Sequence, residues 1–228
     1  MGALSSKRPE EGIMRTFIAP LVIAAYLAAG GCSSGIETTR SSVATGPEAR
    51  AIIAASLAEM NYRGVPPPPP DRSEAVRPQA PRDILVSSTS LCFGVQSAAE
   101  VSECAPLDAL ETPRIGNFVS KKLRDDLLRA NASRRPIDLA GLPRVRVVNA
   151  SETIKLTHYR SWKAFYDRYP NTAGWVEASL PVLTPDKSHA LVYLEHRCDG
   201  LCGTGTLLYL QRTPNGWVVE KKRGLWVA

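Results

Sequence analysis

The 228-residue sequence predicts an α+β fold: a single small domain in which an antiparallel β-meander packs with two or so helices, behind a disordered proline-rich linker. Three observations predict it. Apolar residues recur at helical spacing over 115–130 and again after Ser161. From Trp175 onward, short apolar runs alternate with turn residues. Pro66 to Pro70 are consecutive, and such a run adopts extended polyproline II rather than helix or sheet. The hydrophobic fraction of 44% and charged fraction of 22% are ordinary globular values, which excludes collagen, coiled coil, multi-span membrane protein and a fully disordered chain.

Taken in order, the first feature is an uncharged apolar run over 16–31, followed by Cys32. At 16 residues it is shorter than the roughly 18–20 that span a bilayer, and with Arg15 before it the run matches the apolar region of a signal peptide. Met14 gives a short basic n-region of ordinary size, so it is the preferred start over Met1. The segment Leu27-Ala28-Ala29-Gly30-Gly31-Cys32 resembles the lipobox of bacterial lipoproteins. That resemblance implies cleavage before Cys32, acylation of its thiol (palmitate or a similar chain) and of the new N-terminus, and attachment to the membrane of the cell envelope. Ser33 after the cysteine, rather than Asp, resembles lipoproteins passed to the outer membrane, on its periplasmic face.

Removal of 1–31 takes Lys7, Arg8, Arg15, Glu10 and Glu11, leaving 25 Lys+Arg against 20 Asp+Glu, a net charge of +5. That modest charge suits solubility and attraction to anionic lipid or glycan, not nucleic acid.

Residues 32–83 read as a lipidated tether. It begins with a flexible Ser/Gly/Thr stretch over 33–46. A short helix over 47–63 follows, with Ile52, Ile53, Ser56, Leu57 and Met60 in a stripe that fits the domain, a partner or a marginal helix within the linker. The polyproline spacer then holds the domain off the membrane. The folded domain is expected from 84 to 228. Strand candidates are Ile84–Val86, Leu91–Val95 and Val145–Val148. One helix covers 115–130 and stops at Asn131; a second runs from Ser161, its N-cap, and stops before Pro170. Trp175–Leu183, Ala190–Glu195, Thr206–Leu210 and Trp217–Glu220 then form the meander, with Thr213-Pro-Asn-Gly216 as a hairpin turn.

Of the five cysteines, Cys32 goes to lipid, and an oxidising compartment favours pairing the other four. Proximity favours Cys92 with Cys104 and Cys198 with Cys202. The second pair closes a loop so short that it stabilises by only about 1–2 kcal/mol. The alternative reading uses His196, Cys198 and Cys202, with His158 or His189, as ligands for zinc or copper in a metal-handling protein, or with Asp199 as the centre of an envelope hydrolase.

Trp162, Phe165, Leu180-Pro-Val, Pro185-Asp, Ala190-Leu-Val-Tyr, Leu201-Cys-Gly-Thr-Gly205 and Gly216-Trp-Val-Val resemble a module at the ends of uncharacterised bacterial secreted proteins. The resemblance implies the architecture and no activity. No Gly-x-Ser-x-Gly, Ser-x-x-Lys, phosphate loop or His-Glu-x-x-His occurs. Glu195 and His196 are adjacent on a strand and so point to opposite faces. The aromatic residues favour core packing over sugar stacking. With no catalytic set and no cofactor motif, the sequence reads as a binding or assembly module contacting an envelope protein, a glycan or a small ligand.

Overall fold

The computed structural model describes residues 40–61, 82–94, 104–106, 110 and 115–228. The signal segment, Cys32 and the proline run lie outside the described residues. In chain order the elements are β1 (Ser42–Val43), α1 (Gly46–Met60), β2 (Asp83–Ser87), β3 (Phe93–Gly94), β4 (Ala105–Pro106), α2 (Lys121–Ala130), β5 (Val145–Val148), α3 (Ala150–Ile154), α4 (Trp162–Arg168), β6 (Thr172–Ala178), β7 (Val182–Leu183), β8 (His189–Asp199), β9 (Cys202–Thr213) and β10 (Gly216–Val227). A π-helical turn, Lys155–Arg160, joins α3 to α4.

The class is α+β, with strands dominating. β8, β9 and β10 are the antiparallel meander, each hairpin closed by a two-residue turn. The sheet is larger than that meander. It has eight strands and is mixed, because β2 runs parallel to both β5 and β6. Parallel neighbours need a crossover, and α3 and α4 supply it between β5 and β6. On the far side of β8, β6 pairs with 194–197 while β7 pairs with 190–191, so one long strand carries two short ones. The expected strand Trp175–Leu183 is therefore two strands with a break at 179–181. Asn131, the residue that ends α2, fills that break: its Nδ2 donates to the carbonyls of Leu127 (2.9 Å) and Leu180 (3.0 Å), and its Oδ1 accepts from the Leu180 N–H at 2.7 Å.

The sheet has two covered faces. On one, Val176, Val192, Leu194, Leu208 and Leu210 pack under α1, whose Ile52 and Ile53 are fully buried. Ser56 is buried there too, its hydroxyl donating to the Ile52 carbonyl at 2.9 Å. The compact unit thus runs Thr38–Ala228 rather than starting near Ile84. β1 pairs with β7, so the end of the expected flexible tether is a strand. The proline run follows α1 in the chain and so does not separate the domain from Cys32. On the other face, α2 covers Leu191, Tyr193 and Leu207, and α4 covers Leu85 and Trp175. Ser120 caps α2 and Ser161 caps α4 through their hydroxyls.

Two disulfides form, Cys92–Cys104 and Cys198–Cys202. Their loops span 12 and 4 residues, which in the chain-entropy account are worth about 3 and about 2 kcal/mol. Replacing Cys92 and Cys104 by Ser is expected to lower the stability measured by urea unfolding by the larger amount; equal losses for the two pairs would contradict this ordering.

Candidate functional site

Between the α2-covered and α4-covered apolar clusters, the same sheet face carries a row of buried charge. Glu177 on β6 lies directly across from Glu195 on β8. Strand alternation puts Tyr193, Glu195 and Arg197 on this face and His196 on the other. Glu177 is 5% exposed and Glu195 3%, and two like charges opposed across a ladder are unfavourable unless paired. Each is paired. Arg134 Nη1 donates to Glu177 Oε1 at 2.5 Å, and Arg197 Nη2 donates to Glu195 Oε2 at 2.9 Å. Tyr193 completes the row, donating its hydroxyl proton to Glu195 Oε1 (3.0 Å) while accepting from Trp226 Nε1 on β10 (2.8 Å).

Backbone pairing positions Arg134. Ser90 N–H donates to the Arg135 carbonyl (2.7 Å), Ile137 N–H donates to the Ser88 carbonyl (2.9 Å), and Thr89 bridges Pro136. That short ladder aims the guanidinium at the sheet. Burial pushes the Glu177 carboxyl above its ordinary range, and the Arg134 cation only partly offsets it. The Tyr193 hydroxyl is likewise pushed far up by burial, then by the Glu195 charge, so it stays a donor. Two carboxyls facing each other in unlike surroundings are the composition of an acid–base pair, but both side chains are closed to solvent, and here they tie a loop to a sheet.

Gly205 on β9 stands opposite Glu195 and makes room for this row. A Cβ there would lie 2.0 Å from Trp226 Nε1 and 2.3 Å from the Tyr193 hydroxyl. Gly205→Ala is expected to cost about 1–3 kcal/mol by overpacking. The check is thermal unfolding together with tryptophan fluorescence, since Trp226 must move; an unchanged melting temperature would mean the row has slack.

The residues singled out in the sequence do not meet as a metal or hydrolase centre. Cys198 and Cys202 are bonded to each other, and an oxidised pair presents no thiolate. The His196 imidazole lies on the opposite face, its Nε2 2.6 Å from the Ala173 carbonyl, and burial lowers its pKa. That approach uses a β6 kink at Gly174 (φ 89°), where a Cβ would meet the Arg197 carbonyl at 2.2 Å. His189 is seven residues back along β8, about 23 Å at strand rise, and the His158 side chain lies outside the described residues. The Asp199 carboxylate is exposed and accepts from the Gly200 N–H at 2.7 Å. Among the described residues no group of three His, Cys, Asp or Glu side chains is arranged to hold a metal.

The aromatic residues divide. Phe165, Tyr169 and Tyr193 are core. Trp162 and Tyr166 pack at the edge of the α4 cluster, the Tyr166 hydroxyl donating to the Cys198 carbonyl at 2.6 Å. Tyr209 is half-buried on the α2-covered face of β9, at the edge of that cluster, stacked on His189 at 4.9 Å. It lines a groove of about 280 Å³ with Ser41, Phe118, Lys122 and Lys221. A smaller, more apolar cavity of about 140 Å³ lies between α1 and the β2–β5 edge, with Arg82 and Arg144 in its lining. No helix among the described residues is long and apolar enough to cross a membrane.

No family model, no curated protein and no solved structure matches the chain.

Proposed function

We propose that this chain is a bacterial lipoprotein of the cell envelope, anchored through acylated Cys32 at the periplasmic face of the outer membrane, whose α+β domain is a binding or assembly module for an envelope protein, a glycan or a small ligand. The observation that carries the reading is Leu27-Ala-Ala-Gly-Gly-Cys32 at the end of an uninterrupted apolar run. The cysteine pattern supports it: four cysteines sit in two disulfides, as an oxidising compartment favours, and Cys32 is the fifth. The bonded Cys198–Cys202 pair, which presents no thiolate, weighs against the metal-handling alternative centred on that loop.

Intact mass of the protein from bacterial membranes, with and without reduction, tests this. The expected mass is a chain beginning at Cys32 plus acyl groups, rising by about four hydrogens when two disulfides are reduced. An unacylated chain with four free thiols would end the proposal.

A further inference from the structure

The position of α1 in the core changes what the anchor can do, and the following rests on the acylation of Cys32. Eight residues, 33–40, separate Cys32 from Ser41. An extended chain covers at most about 3.3–3.6 Å per residue, so Ser41 stays within roughly 30 Å of the acylated residue. The proline-rich segment comes after α1 and adds nothing to that reach. Ser41 lines the groove between the start of α2 and the β9–β10 hairpin. The leash therefore keeps the Ser41 side of the domain within that reach of the bilayer.

The chemistry of the face is cationic and aromatic. Lys122 and Lys221 line the groove; Lys221 Nζ lies 5.3 Å from the centre of the Tyr209 ring, and the Arg223 guanidinium lies 5.8 Å from that of Phe118. Arg40 and Lys121 stand beside them, both exposed. The acidic residues on the same face are Asp125 and Asp126, paired with Lys121, Lys122 and Arg129 on their own helix, Glu220 beside Lys221, and Asp186 in the β7–β8 turn. The Lys121–Asp125 and Lys221–Glu220 pairs are exposed and weak, so Lys121 and Lys221 can turn to other anions at little cost. Asp126, 14% exposed, also holds Arg129, so Lys122 can leave it without stripping it of a cation. The excess of cations is too small to hold an untethered domain on a membrane. Tethering removes that demand, because a short linker already holds the face at high local concentration and leaves the charges only to select an orientation.

We infer that the groove face carrying Ser41, Lys122, Lys221 and Arg223 docks on anionic phospholipid headgroups, their phosphates taken by the lysines and arginine and the interface region by Phe118 and Tyr209.

The experiment reconstitutes the full acylated protein into vesicles of phosphatidylcholine, alone or mixed with phosphatidylglycerol, and acetylates it with a water-soluble reagent. Site-resolved mass spectrometry then compares Lys121, Lys122 and Lys221 with Lys163 on α4, which is as exposed as Lys121 (82% against 79%). The expected result is a several-fold drop in acetylation at the three groove lysines in anionic vesicles only, reversed by high salt; in a Lys122→Glu/Lys221→Glu variant the drop at the remaining groove lysine, Lys121, disappears. Equal acetylation in both vesicles, or equal protection of Lys163, overturns the docking. A protein whose intact mass carries no acyl group overturns the anchor first and this inference with it, so the two failures are distinguishable.

Discussion

Arg134→Ala is expected to cost about 3–5 kcal/mol at neutral pH, because it strips one partner from a buried pair and leaves the other uncompensated. Glu177 would then face Glu195 across the ladder with no cation of its own. The pH dependence gives the diagnosis. Burial raises the Glu177 pKa above its ordinary 4.5 in the native state, so the folded protein keeps a proton that the unfolded chain has released. From 4.5 up to the raised native value the native state binds more protons, and stability falls as pH rises. Below 4.5 both states hold the proton and the contribution is complete. Without Arg134 the native value moves higher still, so the falling region extends further toward alkaline pH. The variant should lose more against wild type at pH 8 than at pH 5, and Glu177→Gln should flatten the slope. Urea unfolding at those two pH values measures this. A loss below about 1 kcal/mol, the same at both pH values, would mean that Glu177 is solvated and the row is ordinary surface.

That row shows where sequence reading stops. β8 is legible because Ala190–Leu194 is an unbroken apolar run directly after the turn residues Thr184–Ser188, and β10 because Thr213-Pro-Asn-Gly216 marks its start. Ser161 and Asn131 are legible as helix ends because capping is local chemistry, whereas Ser120 is not: the apolar spacing of Ile115, Phe118 and Val119 carries the expected helix back to 115, and α2 starts only at Lys121. Arg134 and Glu177 are 43 residues apart, and the ladder joining 88–90 to 134–137 leaves no periodic trace. One signal was available: Glu177 and Glu195 each interrupt a run apolar enough to be buried on both faces, and a charge in such a run needs a partner. The parallel pairing of β2 with β5 and β6 is equally hidden, since strands of four to seven residues do not declare their neighbours. The opposed directions of Glu195 and His196 followed from strand alternation alone.

The largest expected loss lies where the sequence put a linker. Replacing both Ile52 and Ile53 by Ala is expected to remove most or all of the stability of the domain. Both side chains are fully buried in the cluster that includes Val192, Leu208 and Leu210. Each truncation costs about 2–5 kcal/mol where the surroundings cannot collapse, and domains of this size hold only about 5–15 kcal/mol in all. α1 was ambiguous because alanines at 49, 51, 54, 55 and 58 dilute the contrast between its faces. Of these, Ala49 is buried and Ala55 packs against the sheet cluster, while Ala51 and Ala58 are exposed. The ties at its rim are exposed ion pairs, Glu48 with Arg212 and Glu59 with Lys222, so Glu59→Ala should cost under about 1 kcal/mol. Chemical unfolding of the two variants separates the cases. If α1 were part of a tether, neither change would exceed about 0.5 kcal/mol; if it is core, Glu59→Ala folds as wild type while the double variant is unfolded or nearly so. The same result decides how far the domain can stand from its anchor, because a core α1 leaves only the residues before Ser42 as a leash.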